Sequence, residues 1–326
     1  LSSDPDRRWL AAAARLAGRA LPLSRPNPAV GALIVKHGKV ISRGWTQPGG
    51  RPHAEAVALE AAGDAAGGAT LYVTLEPCAH QSQRGPACAD LVAASGLARV
   101  VIGFGDPDPR TAGQGIAGIR AAGIAADQIE SAECAASLSG YLTRAHKGRP
   151  EMAPKRARSE DARLAPPPRG GQWLTGAEAR AHVHAWRARM DAILVGAGTL
   201  QADNPRLDVR LPGLAERSPE RWLLTRSEAP QGWKALPSPQ AIAGMDDLQY
   251  LMVEGGAETA RAFLGEGLVD RLLLYRATRA VGGEGPALPE LTRAALNTDP
   301  LWRHIDTRTL GNDSVDLYER AACLPE

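Results

Sequence analysis

One constellation constrains this chain more than anything else in it. It comprises His53 and Glu55 in Pro52-His53-Ala54-Glu55, Cys78 in Thr74-Leu75-Glu76-Pro77-Cys78, and Cys88. An imidazole and two thiols are donors that zinc favours, and a catalytic zinc keeps about three protein ligands and one open position for water. His53, Cys78 and Cys88 can supply those three. Glu55, two residues past His53, can stay off the metal and carry a proton from the activated water to a leaving amine. A lone His-x-Glu is common in helices, and two nearby cysteines are more often buried thiols than ligands. The ordered set is what points to a metal centre: His-x-Glu at a helix start, a strand, then Glu-Pro-Cys at the next helix start.

The set resembles the His-x-Glu, Pro-Cys and second Cys of zinc nucleobase deaminases. One departure stands out. Those enzymes often carry Cys-x-x-Cys, whereas Ala79-His80-Gln81-Ser82-Gln83-Arg84-Gly85-Pro86-Ala87 separates the two cysteines here. The insertion is too polar and too rich in Gly and Pro for a core, and reads as a substrate loop.

At 326 residues the chain has room for about two domains. Its 44% apolar and 23% charged residues are those of a soluble globular protein. A net charge of +2 implies no nucleic-acid surface. Four cysteines are too few for a disulfide scaffold. Cys134 and Cys323 read as plain thiols, in keeping with a reducing cytoplasm. No apolar run is long enough to span a bilayer, and Leu1–Asp6 has no secretory character. The expectation is a cytoplasmic protein with no membrane partner.

In the first half, Trp9, Leu10, Ala13, Leu16 and Ala17 share a face of a helix over 6–20. In Arg25-Pro26-Asn27-Pro28, two prolines fix an extended turn that presents Asn27. Asn27 is either a plain turn residue or an amide that meets a pyrimidine edge. Ala32–Val35 and Val40–Ser42 form a hairpin. A helix follows from His53 to Ala62, then a buried strand over Thr70–Leu75. Its end delivers Cys78 to a helix N-terminus, where free N–H groups favour a thiolate. Cys88 begins a helix over 89–95, Arg99–Phe104 is a strand, and a further helix runs from Gly113-Gln114-Gly115 to Ala122. Strand–helix alternation predicts an α/β/α sandwich.

Lys147–Gln172 reads as a linker or a disordered segment. It holds Pro150, Pro154, Pro166-Pro167-Pro168 and the basic run Lys155-Arg156-Ala157-Arg158. Beyond it, Thr175 is placed to cap a helix over 177–189. Met190–Gly196, Arg221–Thr225, Tyr250–Val253 and Leu268–Tyr275 read as strands, with a Gly loop at Gly196-Ala197-Gly198-Thr199. Glu254-Gly255-Gly256-Ala257 opens a helix through Leu264. Strand, Gly-Gly, helix is a geometry for phosphate at a helix N-terminus, although a tight turn explains a lone Gly-Gly equally well.

Taken together, the motifs resemble the bifunctional riboflavin-biosynthesis deaminase–reductases. In the first half the resemblance rests on PNPAVGALIV, TLYVTLEPCAH and DPDPRTAGQGI. In the second it rests on DAILVGAGTL, ADNP and VEGGAE. It spans about residues 6–290. It implies a cytidine-deaminase-like α/β/α domain over 1–146 and a dihydrofolate-reductase-like α/β domain over 147–326. The implied reactions are deamination of a diaminopyrimidinone carrying a phosphoribosylamino group, then reduction of the ribosyl group to ribityl with NADPH. Zinc would sit on His53, Cys78 and Cys88, with Glu55 as proton shuttle and Asn27 and His80 facing the pyrimidine. Ala157, Trp173, Thr199, Asp203, Gly256 and Ala257 would contact NADPH. Arg187, Leu207, Arg210 and Glu254 would contact the phosphorylated substrate. The resemblance also implies a homodimer built through the reductase domains. It makes Lys155, Ser159 and Asp161 part of a strand, against the linker reading. The family's Asp-Gly-Arg stands here as Asp161-Ala162-Arg163, a common Ser is Gly171, and the segment Thr225–Tyr250 is short.

Three functions are therefore open. The first is a two-step zinc deaminase and NADPH reductase. The second is an active deaminase whose altered second half serves for dimerisation. The third is a deaminase of nucleic-acid bases, against which the near-neutral charge and 4% aromatic content argue.

Overall fold

The computed structural model describes residues 4–81, 83–159, 174–278 and 291–321. The chain divides into two compact units, Leu1–Lys147 and Gly148–Glu326.

The first unit opens with α1 (Pro5–Ala17), whose first turn is capped by the Asp4 carboxylate accepting the Asp6 N–H at 3.0 Å. It continues through β1 (Gly31–Lys36), β2 (Lys39–Trp45), α2 (Ala54–Ala62), β3 (Thr70–Val73), α3 (Cys88–Ala93), β4 (Arg99–Ile102), α4 (Gln114–Ala121), β5 (Ala125–Gln128), α5 (Ala132–Ser137) and α6 (Ser139–Lys147). Among the described residues these strands form one sheet, in the order β2-β1-β3-β4-β5. β1 runs antiparallel to β2 and β3, while β3, β4 and β5 run parallel.

Successive side chains leave a strand on opposite faces, and both faces here are apolar. Ala32, Ile34, Leu71, Val73, Val100 and Ile102 pack with Ala54 and Ala58 of α2, Val92 of α3, and Ile116 and Ile119 of α4. The alternate residues Leu33, Val35, Tyr72 and Val101 pack with Leu10, Ala13 and Ala14 of α1 and Cys134 of α5. The result is the expected α/β/α sandwich. α2 lies so close to β2 that a Cβ on Gly44 would stand 2.0 Å from the Ala54 carbonyl oxygen. That approach fixes the height of the helix whose first turn carries Glu55.

The second unit contains β6 (Glu151–Arg158), α7 (Ala177–Arg187), β7 (Ala192–Gly196), α8 (Ala197–Asp203), β8 (Glu220–Leu224), β9 (Lys234–Leu236), β10 (Tyr250–Val253), α9 (Ala257–Gly265), β11 (Arg271–Arg276), α10 (Arg293–Thr298), β12 (Trp302–Leu310) and β13 (Asp313–Arg320). Among the described residues its sheet is ordered β12-β13-β11-β6-β10-β7-β8-β9. The strands from β11 to β9 are parallel, and the β12–β13 hairpin pairs antiparallel on β11.

Several expectations are corrected here. The segment 151–158 is no linker but the central strand β6. Pro154 is accommodated because the β10 ladder covers Glu151–Pro154 and the β11 ladder begins at Lys155. The missing N–H falls where one ladder hands over to the next. The basic run is not a solvated segment either: Arg156 and Arg158 are buried. Gly196–Thr199 is not a loop, since Ala197 starts α8. Gly176, not Thr175, occupies the N-cap of α7, with no side-chain capping bond. Cys78 lies in the connection before α3 rather than at a helix start, and Cys88 is the first residue of α3. No helix among the described residues is long and apolar enough to cross a membrane.

Candidate active site

Two features deliver the candidate metal donors: the start of α2 and the connection from β3 into α3. His53 occupies the α2 N-cap, so its ring projects from the mouth of the helix while Glu55 sits in the first turn. The β3–α3 connection brings Cys78 back against Cys88. The Cys88 N–H donates to Cys78 Sγ at 3.3 Å, and the Ala89 N–H to the Cys78 carbonyl at 3.1 Å. His53 Nδ1 stands 3.2 Å from Cys88 Sγ and 3.5 Å from Cys78 Sγ. All three donor atoms lie within 4.8 Å of one another. Around a tetrahedral zinc, bonds of about 2.0 Å to nitrogen and 2.3 Å to sulfur put donor atoms roughly 3.5–3.8 Å apart. The donor chemistry and spacing both fit such an ion.

The Cys88 thiol donates to Cys78, and this contact holds the Cys78 thiol far below the usual range, helped by His53 and the Cys88 N–H. Sharing that proton and being buried push the Cys88 thiol far up. Burial pushes the Glu55 carboxyl up to about 7, against the pull of His53. A carboxyl poised there can both take and give a proton near neutral pH. Arg51, Ala56, Arg84 and Leu91 join His53 and Cys88 in lining an open cavity of about 460 Å³.

Asn27 is drawn against the candidate metal donors. Its Nδ2 contacts the Gly50 carbonyl at 2.9 Å and His53 Nε2 at 3.1 Å, on the ring edge away from the sulfurs. His80 stands with Nδ1 3.4 Å from Thr111 Oγ1. Sequence reasoning gave no role to Glu76. Its buried carboxylate accepts the backbone N–H groups of Asp106, Gly113 and Ile116 at 3.3, 3.0 and 3.1 Å. It ties the loop before α4 to the connection that carries Cys78. No sequence signal marks such a role, because the donors are main-chain groups.

In the second unit, Glu254 follows β10, its side chain 9% exposed. Its carboxylate meets Arg187 of α7 at 2.7 Å (Nε) and 3.0 Å (Nη2), with Lys155 of β6 at 3.6 Å. Burial alone would raise its pKa, but the charges of Lys155 and Arg187 hold it at about 2. Arg187 Nη1 also donates to the Asp208 carbonyl. Leu207 is buried with φ at 56°, a backbone state that non-glycine residues rarely adopt. Arg210 is exposed, its Nε 3.4 Å from Asp208. Thr199 Oγ1 accepts the Gly256 N–H at 3.1 Å, and Gly256 is the N-cap of α9, so Thr199, Gly256 and Ala257 share one corner. Ala157 lies near the end of β6, and Asp203 is exposed at the end of α8. Trp173, Asp161, Arg163 and Gly171 lie outside the described residues.

Residues 3–104 match the family model of the cytidine and deoxycytidylate deaminase zinc-binding region. Residues 152–241 and 240–315 match that of the RibD C-terminal domain. The chain thus joins a unit of the zinc-binding deaminase class to a reductase-type unit. It is 33% identical to the riboflavin biosynthesis protein RibD of Aquifex aeolicus, over 97% of this chain and 98% of that one. The structure of Acinetobacter baumannii RibD (form 1) superposes with a TM-score of 0.84 at 30% identity, covering 97% of this chain and 99% of that one. A Thermotoga maritima structure described as a diaminohydroxyphosphoribosylaminopyrimidine deaminase/5-amino-6-(5-phosphoribosylamino)uracil reductase gives the same TM-score at 28% identity and the same coverage. The chain belongs to the RibD family of riboflavin-biosynthesis proteins and is a bifunctional enzyme of the deaminase–reductase type.

Proposed function

We propose that the first unit hydrolytically deaminates 2,5-diamino-6-(5-phosphoribosylamino)pyrimidin-4-one, and that the second reduces the ribosyl side chain of the product to ribityl with NADPH. The observation that carries this reading is the convergence of His53, Cys78 and Cys88 beside the buried carboxyl of Glu55, in a chain of which 97% aligns with the Aquifex aeolicus relative. The three donors would hold zinc, whose Lewis acidity makes water a nucleophile near neutral pH. Water adds to the amine-bearing ring carbon, the carbon–nitrogen bond breaks, ammonia leaves, and the ring keeps the new carbonyl. Glu55 takes the proton from the water and returns it to the departing nitrogen. Asn27 and His80 line the pyrimidine's approach, and Asn27 also steadies the His53 ring.

In the second unit, Thr199, Gly256 and Ala257 offer a corner for the cofactor, with Ala157, Asp203 and Trp173 completing its contacts. Arg187, Leu207, Arg210 and Glu254 receive the phosphorylated substrate. The assembled Lys155–Glu254–Arg187 group supports a working second unit over one kept for dimerisation alone. The resemblance to the family supports a cytoplasmic homodimer that binds neither nucleic acid nor membrane.

Mass spectrometry of the pyrimidine product, from zinc-loaded protein with and without NADPH, tests the proposal. Replacement of one amine by oxygen without NADPH, and two further hydrogens with it, is expected. Amine replacement alone under both conditions would remove the reductase assignment. No change at all would sink the proposal.

A further inference from the structure

We infer that Arg156 is an anion-binding residue, which takes a phosphate of the dinucleotide cofactor jointly with the N-terminus of α9. The inference rests on the cofactor reading above, but it concerns a residue that the reading does not use.

Arg156 lies in the middle of the second unit's sheet, opposite Leu274 of β11, and is only 3% exposed. Its Nη1 donates to the carbonyl of Gly255, the residue before the α9 N-cap. Its Nε and Nη2 are buried with no hydrogen-bond partner among the described residues. Arginine cannot shed its charge as a buried lysine can. Burial, opposed only by the field of Glu254, pulls its pKa down to about 10, which still leaves it cationic at neutral pH.

Among the described residues the guanidinium has no ion-pair partner of its own. Glu254 is the nearby carboxylate, and it is already bound by both Arg187 and Lys155. Three cations therefore share one anion. The same place has a second electropositive feature: α9 starts at Ala257, and its N-cap Gly256 brings no side-chain cap. The first N–H groups of a helix have no partner within it and favour an anion. A phosphate oxyanion meets both demands at once. It can take the guanidinium's spare donors in the paired manner that suits arginine, and the helix N–H groups on its other oxygens. Thr199, which already accepts the Gly256 N–H, sits at the same corner.

The test is equilibrium binding of NADPH to the full-length, zinc-loaded protein, compared among wild type, Arg156→Met and Arg156→Lys. Thermal melts with inorganic pyrophosphate and with ribose 5-phosphate accompany it. Arg156→Met should weaken NADPH binding by roughly tenfold or more, the usual scale for losing a charge-assisted contact. Arg156→Lys should recover part of that loss. Without ligand, Arg156→Met should melt no lower than wild type, because it sheds an uncompensated buried charge. Pyrophosphate should raise the wild-type melting temperature and leave that of Arg156→Met unchanged.

Unchanged NADPH affinity in Arg156→Met would overturn the inference and leave the proposed function standing. So would a lower melting temperature accompanied by unchanged affinity. Arg156-dependent stabilisation by ribose 5-phosphate and not by pyrophosphate would give the site to the substrate and overturn the cofactor assignment. A wild type that binds pyrophosphate through Arg156 but does not bind NADPH would keep the anion site and refute the cofactor in the proposed function. Failure of wild type to bind any of the three would refute both.

Discussion

Glu55 shows how much one position can be asked to do. It is buried two residues from one metal donor and faces the thiol of another. Glu55→Gln keeps the shape and removes the proton carrier. Zinc content, measured by plasma emission, should stay at the wild-type level while amine replacement falls by about a hundredfold or more. Retained turnover would take the proton-transfer role from this residue. Gly115 makes a different kind of demand: a Cβ there would stand 2.1 Å from the Pro77 carbonyl oxygen, one residue before Cys78. Gly115→Ala must push the Cys78 connection aside, so metal affinity should fall along with stability. Unaltered zinc affinity would show that the connection yields without moving Cys78. The donors were legible in the sequence because few side chains suit zinc. Glu76 and Arg156 were not, because what each meets is backbone contributed from elsewhere in the chain.

Among the elements, β6 is where composition misled. Prolines and a basic run argue for a solvated linker, and Met152, Ala153 and Ala157 are too few to give the stretch an apolar reading. The strand exists because parallel neighbours on both sides hold it, and because Lys155 finds Glu254 on the next strand but one residue beyond its end. α5, α6 and the β12–β13 hairpin were likewise unread, since short or half-exposed elements carry weak periodicity. The Glu254 cluster yields a signed prediction. A carboxylate depressed in the folded state stabilises above its unfolded pKa of about 4.3, and that contribution drains away as pH falls toward the folded value. The folded value here is about 2. The stability gap between wild type and Glu254→Gln, read from urea midpoints, should hold steady above about pH 5 and narrow on acidification. A gap that widens in acid would contradict the assignment. Arg187→Ala removes the closer of that carboxylate's two ion-pair partners and should cost about 3–5 kcal/mol, the scale for breaking a buried pair. A loss under about 1 kcal/mol would mean the pair is solvated.

At the scale of the molecule, the two chemistries sit on units with separate sheets and separate cores. Stripping zinc with a chelator should abolish amine replacement while NADPH affinity, followed by fluorescence, stays unchanged. A parallel loss of cofactor binding would show that the units depend on one another. The two-domain plan could be read from chain length, and the first sandwich from alternating strands and helices. The second sheet could not be ordered that way, because its neighbours are far apart in sequence. β6 is the first strand of its unit to be synthesised and takes its place between β10 and β11, which lie some ninety residues or more downstream. At about 5–20 residues per second, a ribosome needs several seconds or more to supply the first of those partners. Through that interval the emerging chain carries an unpaired strand with two arginines that the finished fold buries. The first unit, by contrast, has all the strands of its sheet in hand before β6 is made.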